Sequence, residues 1–160
     1  MTSTQSSLQL GQIVPTFMLQ DSQGNIHNIS EYRGKKVVLY FYPKDNTSGC
    51  TVEGQQFSQL AEEFRNKNTL IFGVSRDSIK SHLNFKNKYN FNFELLSDEK
   101  EEVCRLFDVI KEKNMYGRKV MGIERSTFII DEAGRLAKEY RKVKADGHAA
   151  EVLKDISMMV

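Results

Sequence analysis

Apolar residues along this chain change their period several times, and each change marks an element. Residues Phe17 to Ile29, FMLQDSQGNIHNI, place apolar positions on both sides of Asp21-Ser22-Gln23-Gly24-Asn25, a turn-forming run that predicts a hairpin. Two continuous β-rich runs follow, Val37 to Tyr42 and Leu70 to Ser75, of the kind found in strands covered on both faces. Between them Phe57, Leu60, Ala61 and Phe64 recur at i, i+3, i+4 and i+7, which predicts an amphipathic helix over Thr51 to Asn66. Strand, helix and strand together make a βαβ unit. Ser78 to Tyr89 reads as a second helix, and Asp98 to Phe107 as a shorter one capped by Asp98. Ser126 to Asp131 and Arg135 to Tyr140 predict a late hairpin turned at Asp131-Glu132-Ala133-Gly134. A final helix, about Gly147 to Met158, carries Ala149, Val152, Leu153 and Ile156 on one face. The succession predicts an α/β sandwich with a mixed central sheet, helices on both faces and an N-terminal hairpin.

With 160 residues, 39% of them hydrophobic, the chain should form one domain over 1–160. Its formal charge of +2 comes from interspersed acids and bases, which argues against a nucleic-acid stripe or a membrane-binding basic helix. Two distant cysteines and three scattered histidines, His27, His82 and His148, give neither zinc spacing nor a disulfide framework, so no metal is expected. Each histidine lies in a polar segment and is expected to be exposed. The N-terminal MTSTQSSLQLGQIVPTF lacks the basic and apolar regions of a signal peptide, and no stretch reaches membrane-spanning length. A reducing cytoplasm is the expected compartment.

The segment that carries chemistry is Tyr40 to Gln56, YFYPKDNTSGCTVEGQQ. It leaves a core strand, turns through polar residues and places Cys50 in the first turn of a helix, where open α/β sheets set their sites. Free amides and the helix dipole there favour a thiolate, the nucleophilic form. A small buried hydrophobe is the plain alternative for a cysteine, but Thr47, Ser48, Gly49 and Thr51 flank Cys50 with donors and close backbone approach instead of apolar packing. A thioredoxin-type redox pair would need a cysteine where Glu53 stands, and a phosphate loop would need a lysine that DNTSGCT lacks. A cysteine hydrolase would need a histidine facing the sulfur.

Pro43, Thr47 and Cys50 reproduce the P-x-x-x-T/S-x-x-C signature of the peroxiredoxins. YFYPKDNTSGCTVEGQQF resembles the bacterioferritin comigratory protein, or peroxiredoxin Q, branch, and LLSDEKEEV, MYGRKVMGIERSTFIID and KADGHAAEVL are similar to it as well. The resemblance runs from about Val14 to Leu153. It implies a thioredoxin-like fold and a thiol peroxidase without cofactor, reducing hydrogen peroxide or organic hydroperoxides through a Cys50 sulfenic acid. It also implies that Thr47 and the amides near Gly49 receive the peroxide oxygens, that Arg125 is the distal cation, and that Glu53 orients an arginine. Pro43 would shield the sulfur, and Tyr42 would line the pocket or simply belong to the core. Without the resemblance Arg125 reads as a surface arginine and Glu53 as an acid of the first helical turn.

Two departures from the branch stand out. Ser48 replaces the usual proline before the glycine, and Gln55 occupies the position where many members carry a resolving cysteine. Cys104 remains as a possible resolving thiol, although Val103, Leu106 and Phe107 around it suit a buried structural one. A one-cysteine cycle is therefore expected, with thioredoxin, glutaredoxin or a small thiol as reductant, in a monomer or weak homodimer. The rival readings are a redox-sensing or holdase-like protein with little turnover, and a thiol-dependent hydrolase.

Overall fold

The computed structural model describes residues 8–159; the remainder of the expected 1–160 domain, including the first part of the N-terminal segment read above, lies outside the described residues. The first apolar runs form the expected antiparallel hairpin, β1 (Met18–Asp21) with β2 (Ile26–Asn28). Asp21 closes its turn by accepting from the amides of Gln23 and Asn25, an Asx-turn arrangement. After a 3-10 turn at Ile29–Tyr32 come β3 (Lys36–Phe41), α1 (Ser48–Asn66) and β4 (Thr69–Ser75). β3 is buried at every position, since parallel β4 and antiparallel β8 (Ser126–Ile130) flank it and both its faces are covered. That is the physical reason its sequence does not alternate.

The rest of the chain supplies α2 (Ile79–Tyr89), β5 (Glu94–Ser97), α3 (Glu102–Leu106), β6 (Ile110–Met115), β7 (Arg118–Ile123), β9 (Leu136–Tyr140) and α4 (His148–Ser157). The main sheet has seven strands in the order β2-β1-β5-β4-β3-β8-β9, and β6 pairs with β7 apart from it. Asp98 holds the start of α3 as expected, accepting from the amides of Val103 and Cys104, but the helix itself begins later, after Glu101 in a left-handed conformation.

Two apolar layers sandwich the sheet. Val38, Tyr40, Ile71, Leu95 and Ile129 pack against Cys50, Phe57, Ala61 and Phe64 of α1, Phe85 of α2, and Ala149, Val152 and Ile156 of α4. Val37, Leu39, Phe41, Phe72, Val74 and Phe128 point the other way, onto Val103, Cys104 and Phe107 and the N-terminal Val14, Leu19 and Ile29. Successive residues of β3 thus belong to opposite layers, as the pleat requires. The consequence for chemistry is that Cys50 and Cys104 lie on opposite faces of the central sheet.

Neither β5 nor the β6–β7 hairpin is legible as a strand in the pattern. β5 is four residues long, and β6 and β7 are mostly exposed and carry charges among their apolar residues. Their turn, Tyr116-Gly117, takes positive φ at both residues (55° and 79°). That is the two-residue geometry usually signalled by Asn-Gly.

Candidate active site

The loop from β3 to α1 delivers the thiol. Tyr42 is still tied to β4 through its amide, which donates to the Val74 carbonyl at 3.1 Å. Half-buried Pro43 and exposed Lys44 follow, then buried Asp45 and a left-handed Asn46 with φ of 64°. Thr47 takes the extended N-cap conformation, and its carbonyl accepts from the amide and hydroxyl of Thr51. Helix geometry leaves the amides of Ser48, Gly49 and Cys50 without intrahelical acceptors. Cys50 itself is 1% exposed, on the α1 side of the sheet.

Arg125 reaches this turn from the β7–β8 junction. Its Nη2 donates to Cys50 Sγ at 3.5 Å and its Nη1 to Glu53 Oε1 at 2.7 Å, so one guanidinium spans both groups. A Cβ at Gly49 would stand 3.0 Å from Nη2, so glycine gives the guanidinium its place against the helix. The backbone carbonyl of Arg125 accepts from Val143 at 2.9 Å, fixing the base of the side chain. Burial opposes the Arg125 charge, yet Glu53 and Cys50 outweigh it and hold the guanidinium in its protonated form.

Glu53 is not the solvated first-turn acid of the plain reading. It is fully buried, and burial pushes its carboxyl up to about 7 although the charge and hydrogen bond of Arg125 pull the other way. Its Oε2 and the hydroxyl of neighbouring core Tyr40 have no hydrogen-bond partner among the described residues. The sign of the linkage follows. Between the unfolded value near 4.5 and about 7 the native state holds a proton that the unfolded chain has released, so this group's contribution falls as pH rises. Glu53→Gln is expected to flatten denaturant stability between these pH values by about 1–3 kcal/mol. Urea midpoints of parent and variant across this range check it. The comparison also isolates Glu53 from His148, whose burial-lowered titration slopes the opposite way.

Other residues sit differently from expectation. The Thr47 hydroxyl donates to the Lys44 carbonyl at 2.8 Å instead of standing free. Tyr42 is a core residue, its ring 5.5 Å from that of Tyr40 and its hydroxyl donating to Asp45 at 2.6 Å. The exposed histidines of the sequence reading are corrected: His82 and His148 are buried, and His27 is partly so. Their polar neighbours concealed helical spacing, with His82 three before Phe85 and His148 four before Val152. His82 meets Asp45 and Leu96, His148 meets Thr127 and Glu151, and His27 meets Asp21 and Tyr32. Among the described residues no histidine hydrogen-bonds Cys50, which removes the base a hydrolase would need.

Lys113 of β6 was missed in the sequence. Its ammonium donates to the Ile123 carbonyl, and partial burial, then Arg125 and Arg76, hold it below the usual lysine range. No periodicity marked it, because its strand went unread. Cys104 is fully buried, and burial followed by the Asp98 carboxylate pushes its thiol up, so it remains protonated. Gln55 is exposed on α1.

The likeness to known proteins agrees with this geometry. Residues 10–139 match the AhpC/TSA family. Peroxiredoxin Bcp of Xanthomonas campestris is 49% identical over 150 residues, 94% of each chain, and that of Bacillus subtilis is 46% identical over 96% of this chain and 98% of its own. Among solved structures, Xylella fastidiosa peroxiredoxin Q superposes with a TM-score of 0.90 at 43% identity, over 96% of this chain and 98% of that one. The X. campestris bacterioferritin comigratory protein, studied for its alkyl peroxide reduction, gives 0.85 at 50% identity over 88% and 90%. The thioredoxin-like sandwich, the cysteine at the head of α1 and these relatives place the chain in the AhpC/TSA peroxiredoxin family, as a thiol peroxidase of its bacterioferritin comigratory protein branch.

Proposed function

We propose that this peroxiredoxin reduces hydrogen peroxide and organic hydroperoxides through Cys50 in a one-cysteine cycle. The observation that carries the reading is the Arg125 guanidinium shared between Cys50 Sγ and Glu53. A cation at that distance from the sulfur stands where the peroxide must bind and can meet the charge that develops on it. The thiolate attacks the terminal peroxide oxygen, an S–O bond forms as the O–O bond breaks, and the leaving oxygen takes a proton to become water or an alcohol. Charge developing on that oxygen is met by Arg125, by the free amides of the first turn and by Thr47. The Thr47 hydroxyl would have to turn from the Lys44 carbonyl, giving up a neutral hydrogen bond of about 1 kcal/mol. Glu53 keeps the guanidinium in its plane, Gly49 leaves it room, and Pro43 covers the approach from solvent.

Cys50 becomes a sulfenic acid in this step. An external thiol then displaces water to give a mixed disulfide, and a second thiol releases Cys50 and leaves as the oxidised disulfide. Thioredoxin, glutaredoxin or a small thiol fits that role, in a cytoplasmic monomer or weak homodimer. The placement of Cys104 behind the sheet and of Gln55 on α1 supports an external thiol. No helix among the described residues is long and apolar enough to cross a membrane.

The deciding experiment treats reduced protein with one equivalent of hydrogen peroxide. Rapid loss of the Cys50 thiol is expected, with a trapped sulfenic adduct located there by mass spectrometry. Oxidation no faster than that of free cysteine would favour a redox-sensing or holdase-like role instead.

A further inference from the structure

The loop between β3 and α1 has little to hold it. Pro43 is half-buried, Lys44, Asn46 and Thr47 are exposed, and the one buried side chain between Tyr42 and Cys50 is that of Asp45. A carboxylate in a covered loop needs partners, and Asp45 has them on every side. Tyr42 donates to Oδ1 at 2.6 Å, Ser81 donates to Oδ2 at 2.8 Å, and His82 Nδ1 lies 2.8 Å from Oδ2. The Asp45 amide donates to Asp77 Oδ2 at 2.9 Å, and Ser75 donates to the same oxygen at 2.6 Å. Except for Tyr42, these partners come from the end of β4 and the start of α2.

His82 is fully buried, and its Nε2 faces the Leu96 carbonyl at 3.0 Å. A carbonyl only accepts, so Nε2 carries hydrogen, while Nδ1 faces a carboxylate oxygen. Nδ1 and Asp45 Oδ2, 2.8 Å apart, therefore join the helix to the loop by a buried hydrogen bond. Both ring nitrogens and both Asp45 oxygens take part in these contacts. The chain of contacts runs from β5 through His82 to Asp45. From the loop it continues through the Lys44 carbonyl to the Thr47 hydroxyl and through the Thr47 carbonyl to Thr51.

We propose that the buried Asp45–His82 pair is a positioning latch for peroxide reduction, fixing the 43–47 loop so that Thr47 and the first turn of α1 meet the substrate in register with Arg125. The inference rests on the peroxidase reading of Cys50 and Thr47. Neither latch residue touches the reacting atoms; both act through the loop.

Its test compares Asp45→Ala, Asp45→Asn and Asp77→Ala with the parent chain at a temperature where each is folded, by circular dichroism. Two rates are read: oxidation of Cys50 by hydrogen peroxide, which needs the assembled loop, and alkylation by iodoacetamide, which needs only an accessible thiolate. Asp45→Ala is expected to lose about tenfold or more in the peroxide rate while alkylation holds within about twofold or rises. Asp45→Asn keeps an acceptor for Tyr42 and offers an N–H to His82 Nδ1, so it should recover most of the peroxide rate. Equal losses in both rates, or an asparagine variant as slow as the alanine one, would overturn the latch. If Asp45→Ala does not fold, Asp77→Ala carries the test, since it frees only the Asp45 amide and the Ser75 hydroxyl; a loss of about threefold supports the latch and a parental peroxide rate sinks it. A parent chain no faster than free cysteine removes the peroxidase reading and the latch with it, whereas a fast parent with equally fast variants removes the latch alone.

Discussion

Arg125→Ala is expected to slow Cys50 oxidation by peroxide by about 30- to 1,000-fold, equivalent to about 2–4 kcal/mol of transition-state stabilisation. The guanidinium contacts Sγ directly, so its removal leaves the oxygen departing from that sulfur without its cation. The fold should survive. Glu53 would lose its partner, but a carboxyl already pushed up to about 7 responds by keeping its proton, not by remaining a buried unpaired charge. Measurements below that pH therefore separate chemistry from stability. Arg125→Lys should recover only part of the rate, because a single ammonium cannot reproduce the planar fork that meets Glu53 and Cys50 together. Stopped-flow oxidation rates of the folded variants decide the matter, and parental kinetics in Arg125→Ala would remove the residue from the site.

The sequence disclosed these elements unevenly, for physical reasons. Cys50 was legible because strand, polar turn and helix start are all local signals, and the thiol lies where they meet. Arg125 was not, since the contact that gives it meaning joins residues far apart in the chain and depends on β8 pairing with β3. Only the resemblance to peroxiredoxins pointed to it. Glu53 was visible as an acid one turn beyond the cysteine, yet full burial comes from the packing of α1 on the sheet, which composition does not reveal. His82 was misjudged because serine, lysine and asparagine around it hid a buried helical face, and with it the network around Asp45 went unseen. The β6–β7 hairpin escaped for the opposite reason: its strands pair with each other apart from the main sheet, so no buried stripe imposes alternation.

The two cysteines allow the one-cysteine cycle to be tested by their contrast. Cys50→Ser should abolish peroxide reduction, since serine offers no sulfur to oxidise, whereas Cys104→Ser should keep multiple turnovers with a small thiol as reductant. The argument is geometric. A disulfide requires Cα atoms within about 7 Å, and Cys104 packs with Val37, Leu39 and Phe41 while Cys50 packs with Val38 and Tyr40 on the reverse of the same strands. For the sulfurs to meet, one helix would have to leave its layer and expose the aromatic residues beneath it, among them Phe107 and Phe128, whose ring centroids stand 4.7 Å apart. Uncovering a single such side chain costs about 1.5–3 kcal/mol. The Cys104 thiol is in addition kept protonated by burial and by Asp98, so it is a poor nucleophile toward a sulfenic acid. Serine at 104 would place a hydroxyl in an apolar layer but leave Asp98 available to accept from it, so the loss of stability should stay moderate. Mass spectrometry after one equivalent of peroxide reads the outcome. A quantitative bond between Cys50 and Cys104, together with a Cys104→Ser variant stalled after one turnover, would mean that oxidation drives the chain across its own sheet, and Cys104 would then be the resolving thiol.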